Sequence, residues 1–195
     1  MKKQRDDLRM FERYLPTLQL KKQQLQMEIL HWTAHLLERQ MQEKAKTGAA
    51  LLWAGLLADP GAEIAAYFKL VRIVESQKNI AGVDVPVFQS AEFKDAEYDL
   101  FSTPAWVDSA IEHLKELESL RAEINVLQKA IAVLQRELRI TAQRVNLFEK
   151  VKIPAAIDAI RRIKIYIGDQ MANAVGRSKA AKRKIEELFA QEATA

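Results

Sequence analysis

Near the start of the chain, apolar residues recur at alternating spacings of three and four. Leu8, Phe11, Leu15, Leu18, Leu25, Ile29, Trp32 and Leu36 form the series, and Lys22 is its polar member. This spacing predicts a coiled-coil helix with one continuous seam. Pro16 lies inside the pattern, so the helix either starts near it or bends there. The pattern fades around Glu43 to Thr47, resumes in AALLWAGLLA, and stops at Asp59-Pro60-Gly61. The second half repeats the signal through Leu117, Leu120, Ile124, Leu127, Ile131, Leu134, Leu138, Thr141, Val145 and Phe148. The next seam position falls on polar Lys152. The apolar series resumes one residue late, at Ile153, Ile157, Ile160, Ile167 and Met171, beside Pro154. The proline is expected to mark a change of register, either as a kink that re-aims the stripe or as a break between two helices.

The segment between the two repeats has another character. Leu70–Val74 and Val83–Phe88 are rich in β-branched and aromatic residues, and Asn79–Gly82 carries turn chemistry. A two-stranded antiparallel hairpin is predicted, with Pro86 on an edge because it cannot donate to a ladder. A lone hairpin is marginal in water and should lean on a helix or a partner. Ser102 or Thr103 suits an N-cap, Pro104 the first helical position and Asp108 the first turn of the second long helix.

The expected fold is mainly α. A long antiparallel two-helix coiled coil is formed by the N- and C-terminal segments, with a small inserted β-hairpin and short helices in the middle. The reading is of one elongated unit: an N-terminal coiled-coil helix over 1–58, an insert over 59–105 with the hairpin near 67–93, and a C-terminal coiled-coil helix over 106–190. Continuous helix over the last part would be on the order of 120 Å long at 1.5 Å per residue.

Composition narrows the chemistry. The 195 residues include no cysteine, which excludes disulfides and thiolate sites, and few glycines (6) or prolines (5). MKKQRDDLRM is charged and reads as no secretory signal, and the most apolar stretch is too short to span a bilayer, so a soluble cytoplasmic protein is expected. The net charge of +4 fits nucleic acid, an acidic membrane or an acidic protein equally. No phosphate-cradling or esterase motif is present. His31 and His35 sit one turn apart beside Trp32 without a third ligand, so they read as seam-flanking residues rather than a metal site. Glu116, Glu118, Glu137, Glu186 and Glu187 read as solvated faces and intrahelical ion pairs. Neither catalysis nor a cofactor is expected.

A basic cluster, Arg177, Lys179, Lys182, Arg183 and Lys184, crowds the end of the second helix, and Lys2 and Lys3 should lie nearby in an antiparallel pair. Favourable placement of cations at a helix C-terminus accounts for part of it. A partner-facing tip accounts for more than nucleic acid does, because no aromatic residues are interleaved with the basic ones.

YLPTLQLKKQQLQMEI, AGVDVPVF, STPAWVD and above all RVNLFEKVKIP resemble the D subunits of the V/A-type rotary ATPases, in their bacterial form and along essentially the whole chain. The resemblance implies a non-catalytic axle of the central stalk, coupling ATP synthesis or hydrolysis to ion translocation. Both termini would insert into the hexamer of catalytic and regulatory subunits A and B. The lower part would bind the small F subunit and seat in the C subunit (d in eukaryotes) on the membrane ring. No nucleic acid and no direct membrane insertion are implied, and the chain would sit in the soluble sector of a complex peripheral to the membrane.

On that reading Leu25, Ile29, Trp32, Leu134, Leu138, Val145 and Phe148 hold the seam, and Pro154 bends the axle. Lys2, Lys3 and Arg177, Lys179, Lys182, Arg183 and Lys184 face the hexamer. Val83, Val85, Phe88 and Trp106 support the contacts to the F or C subunits. The rival readings are a helical-hairpin scaffold with no motor and a basic coiled-coil nucleic-acid binder.

Overall fold

The computed structural model describes residues 1–55, 64–94 and 103–192. In chain order these form α1 (Lys2–Leu51), α2 (Ile64–Tyr67), β1 (Leu70–Ile80), β2 (Val83–Phe93), α3 (Trp106–Leu147), a π-helical turn (Phe148–Lys152) and α4 (Ile153–Glu192). The mainly helical fold with one inserted antiparallel hairpin agrees with the periodicity of the sequence. The chain divides into two compact units, one of residues 1–19 with 143–195 and one of residues 20–142.

In the second of these units, the seam side of α1 packs on α3. Leu25, Trp32, Leu127, Ala130, Ile131 and Leu134 are buried together, with Ile29, Leu36 and Leu138 packed at the margin. The turn end of the hairpin closes the same core through Ile80 and Val85, flanked by Ala81, Val83 and Val87. This is the support a lone hairpin needs. On α3, Ala122, Val126 and Ala130 form a second buried row at four-residue spacing, so the buried face is broader than a two-helix seam requires. At the α3 N-terminus, Val107 and Ile111 make a smaller core with Tyr67 and Trp106.

The strands pair antiparallel from Leu70↔Phe93 to Ile80↔Val83, with irregularities near Arg72 and Glu75. Both are several residues longer than the apolar runs that predicted them, and Phe68 stacks on Phe93 at 5.5 Å beyond their far end. Among the described residues the sheet has two strands, so Pro86 has an edge position, opposite Gln77. The turn residues Ala81 and Gly82 both have positive φ (51° and 77°), and Asn79 Oδ1 accepts a hydrogen bond from the Gly82 amide. Two left-handed residues match the twist of a tight hairpin, a conformation Gly82 adopts without a side-chain penalty.

Several helix limits differ from expectation. Pro16 neither starts nor ends α1, which runs through it. The regular helix ends at Leu51, where Leu52 and Trp53 donate to Ala49 and Ala50 in tighter i→i−3 bonds. The expected stop at Asp59-Pro60-Gly61 lies outside the described residues, as does Ser102. Pro104 precedes α3 rather than opening it: its carbonyl accepts from the Val107 amide, and the helix begins at Trp106 with Asp108 in its first turn.

In the unit of residues 1–19 and 143–195, Val145 and Ala156 are buried, and Phe11 meets Phe148 with ring centroids 5.2 Å apart. Pro154 does not break the helix. The register change is made just before it, in a π turn where the Ile153 amide donates to the Phe148 carbonyl. A π turn holds an extra residue within an otherwise α-helical path.

Candidate functional site

The described residues carry a cavity, interhelical ion pairs and uncovered apolar surfaces. Among them, no three His, Cys, Asp or Glu side chains are grouped to hold a metal ion, and no helix is long and apolar enough to cross a membrane. A half-open cavity of about 330 Å³ lies where the hairpin meets α1 and α3, lined by Glu28, His31, Trp32, His35, Phe88 and Glu123 among others. Trp32 Nε1 donates to Glu28 at 3.3 Å, and His35 Nε2 stands 4.0 Å from Glu123. The histidines therefore flank the seam beside Trp32.

Ion pairs line that seam. Lys21 reaches Glu137 at 2.9 Å, Arg39 reaches Glu123 at 2.9 Å, Arg121 reaches Glu43 at 3.0 Å and Lys46 reaches Glu116 at 2.6 Å. Arg39 Nε is close enough for Coulomb attraction but not aligned for a hydrogen bond. Lys129 and Glu75, 3.5 Å apart, tie α3 to the hairpin. Glu116 and Glu137 thus pair between helices rather than within one, while Glu116 stays exposed and Glu137 half-buried. Glu118, Glu186 and Glu187 do pair within their helices, with Arg121, Lys182 and Arg183. Antiparallel register was needed to see the difference, because the interhelical partners are far apart in sequence.

The seam candidates Leu25, Trp32, Leu134 and Val145 are buried, and Ile29, Leu138 and Phe148 are half-buried. Of the polar seam members, Thr141 is buried, Lys22 half-buried and Lys152 exposed. Val85 is fully buried against the helices, so its side chain holds the hairpin down instead of meeting a partner. Val83, Phe88 and Trp106 are half-buried and keep exposed surface.

The basic residues are not brought together as expected. Half-buried positions on α4 end at Ile163, and from Lys164 to Glu187 every residue is exposed. Arg177 starts on the order of 20 Å further along the helix than Ile163, at 1.5 Å per residue. Leu8 shares a groove with Ile157, Ile160 and Ile165. Lys2 lies only about 9 Å along α1 from Leu8, too short a reach to come level with Arg177. The two basic groups are therefore separate. Lys182 and Arg183 are engaged one turn on by Glu186 and Glu187, 3.7 and 3.2 Å away.

Two apolar surfaces stand uncovered. The bare part of α4 exposes Ile165, Ile167, Met171, Val175 and Ile185, although Ile167 and Met171 continue its seam. On α1, Leu20, Met27, Leu30, Leu37 and Met41 are each more than half exposed, on the face opposite the α3 seam. An open groove of about 650 Å³ lies at the edge of that stripe, between Met27, Ile29 and Leu30 of α1 and Leu138 of α3. The spacing of this second stripe is visible in the sequence, but the stronger Leu25–Leu36 seam overshadows it. Apolar stripes of this kind mark protein-binding surfaces.

The sequence has relatives over most of its length. The family model for the ATP synthase D subunit matches residues 1–183. The chain is 46% identical over 183 residues to the V-type ATP synthase D subunit of Borreliella burgdorferi, covering 93% of this chain and 90% of that one. It is 33% identical to the V-type ATP synthase D subunit of Chlamydia caviae over 178 residues, covering 90% and 86%. The corresponding protein of Chlamydia abortus is 34% identical over 183 residues, with 90% and 86% covered.

Proposed function

The chain belongs to the family of ATP synthase D subunits, and from that premise we propose that it is the central-stalk axle of a V/A-type rotary ATPase. It is a non-catalytic component of that complex and acts in the soluble sector. It couples ATP synthesis or hydrolysis in the hexamer of subunits A and B to ion movement through the membrane ring. The F and C subunits are its stalk partners.

The observation that carries this reading is the bare stretch of α4 from Lys164 to Glu187. A single helix that exposes Ile165, Ile167, Met171 and Val175 is poorly matched to water. Enclosure by a ring of other subunits matches it well. Arg177, Lys179 and Lys184 then face acidic or polar positions of that ring and serve as its bearing surface. The uncovered α1 stripe from Leu20 to Met41, with Val83, Phe88 and Trp106, supports a stalk partner docked on the other unit. Rotation presents different faces of the axle to each catalytic interface in turn, and an asymmetry at Pro154 makes these faces unequal.

Co-expression with subunits A, B and F, followed by size exclusion at moderate salt, tests the proposal. One copy is expected per A–B hexamer, bound together with F. Truncation after Ile163 should abolish hexamer binding and leave F bound. A chain that elutes alone, or that shifts only with nucleic acid and in a salt-dependent way, overturns the axle reading.

A further inference from the structure

The seam of the unit containing α4 holds one residue too many. Ile153, Ala156, Ile160 and Ile163 are the half-buried or buried positions of α4 along that seam, and Val145 and Phe148 are those before it. Counting three or four from Phe148 lands on Val151 and Lys152, both exposed. In an uninterrupted α-helix, one surplus residue turns everything after it by about 100°. Ile153, Ala156 and Ile160 would then leave the seam. The π turn prevents this, and its signature is the hydrogen bond from the Ile153 amide to the Phe148 carbonyl, five residues back.

Such a turn is in principle a movable defect, since exchanging i→i+5 for i→i+4 bonds passes the surplus residue along the helix. Movement toward the C-terminus would require residue 154 to donate its amide to Glu149. Pro154 has no N–H, so that step is closed. Movement toward the N-terminus would rotate Phe148, whose ring is held 5.2 Å from that of Phe11, and then Val145, which is buried.

We propose that Phe148–Lys152 is a locked skip, a stored extra residue pinned on one side by Pro154 and on the other by the Phe11–Phe148 contact. The lock fixes the register of α4 against the N-terminal segment of α1. Its use as protection against helix slippage under torque rests on the axle reading; the lock itself does not.

The chain has no cysteine, so introduced pairs report register without background. Leu8→Cys would be combined in turn with a cysteine at Ala156, Ile157, Ile160 or Arg161 in the full-length chain, and disulfide yields compared. Leu8, Ile157, Ile160 and Arg161 line one groove, so yield should concentrate on one favoured position. In the Pro154→Ala background the ratio of that position to its neighbour should fall roughly tenfold, as the restored amide opens the step that Pro154 closes. An unchanged yield pattern would overturn the lock. Deletion of Val151 is the second variant: removing the surplus residue should preserve the favoured Leu8 pairing, renumbered by one. Loss of that pairing in a helical chain would show that no residue is stored there. These readouts need no other protein, so they stand or fall separately from the axle reading.

Discussion

The rings of Phe11 and Phe148 meet with centroids 5.2 Å apart and planes inclined by 48°. The contact joins the N-terminal segment of α1 to the first residue of the π turn. Tilted aromatic pairs contribute about 0.5–1.5 kcal/mol beyond the area they bury. Phe11→Ala and Phe148→Ala should each destabilise the protein by about 2 kcal/mol, less than a fully buried phenylalanine because both rings are partly exposed. The double variant should recover a coupling of about 1 kcal/mol in a urea-unfolding cycle. Additive losses would show that the rings merely share a neighbourhood.

Leu134 and Met27 should behave oppositely. Leu134 is fully buried beside Leu25, and Leu134→Ala should cost about 3 kcal/mol by leaving a cavity. Met27 is 68% exposed. Met27→Ser, or the same change at Leu30, should leave the unfolding midpoint nearly unchanged while weakening capture of the stalk partner in a pull-down with the F subunit.

The hairpin turn offers a cleaner backbone test. A Cβ added at Gly82 would meet no neighbour within 4 Å, so only its φ of 77° opposes substitution. Gly82→Ala should cost about 1–2 kcal/mol, the penalty for a left-handed L-residue. Ala81→Asn should gain a fraction of that, because asparagine tolerates this conformation better. Amide exchange along β1 would localise both effects to the hairpin.

The Lys46–Glu116 pair predicts an acid-sensitive link between the C-terminal end of α1 and α3. The hydrogen bond and charge of Lys46 hold the Glu116 carboxyl below its ordinary value. A depressed folded-state pKa means the pair stabilises above the usual glutamate range, and the contribution is lost as pH falls through the lower folded value. Arg121, raised by its bonds to Glu43 and Glu118, stays charged throughout. Glu116→Gln should flatten a small part of the decline in urea midpoint on acidification, and Glu116→Asp should leave most of it. Both groups of the pair are exposed, so high salt should also shrink the effect.

The period of the apolar residues determined the two long helices, because only a stripe repeating at three and four can be buried along a helix. The β-branched runs about Asn79–Gly82 determined the hairpin in the same way, through local chemistry alone. The one-residue slip after Phe148 was also legible, and so was the proline beside it. What the slip becomes was not: a kink, a break and a π turn satisfy the same spacing, and the choice depends on whether Ile153 and Ala156 must remain against the N-terminal segment. Tertiary structure likewise decided that Val85 faces inward, that Glu116 and Glu137 answer lysines on α1, and that Lys2 and Arg177 lie apart. Those facts depend on which residues packing brings level, and that is a property of elements in contact, which none of them carries alone.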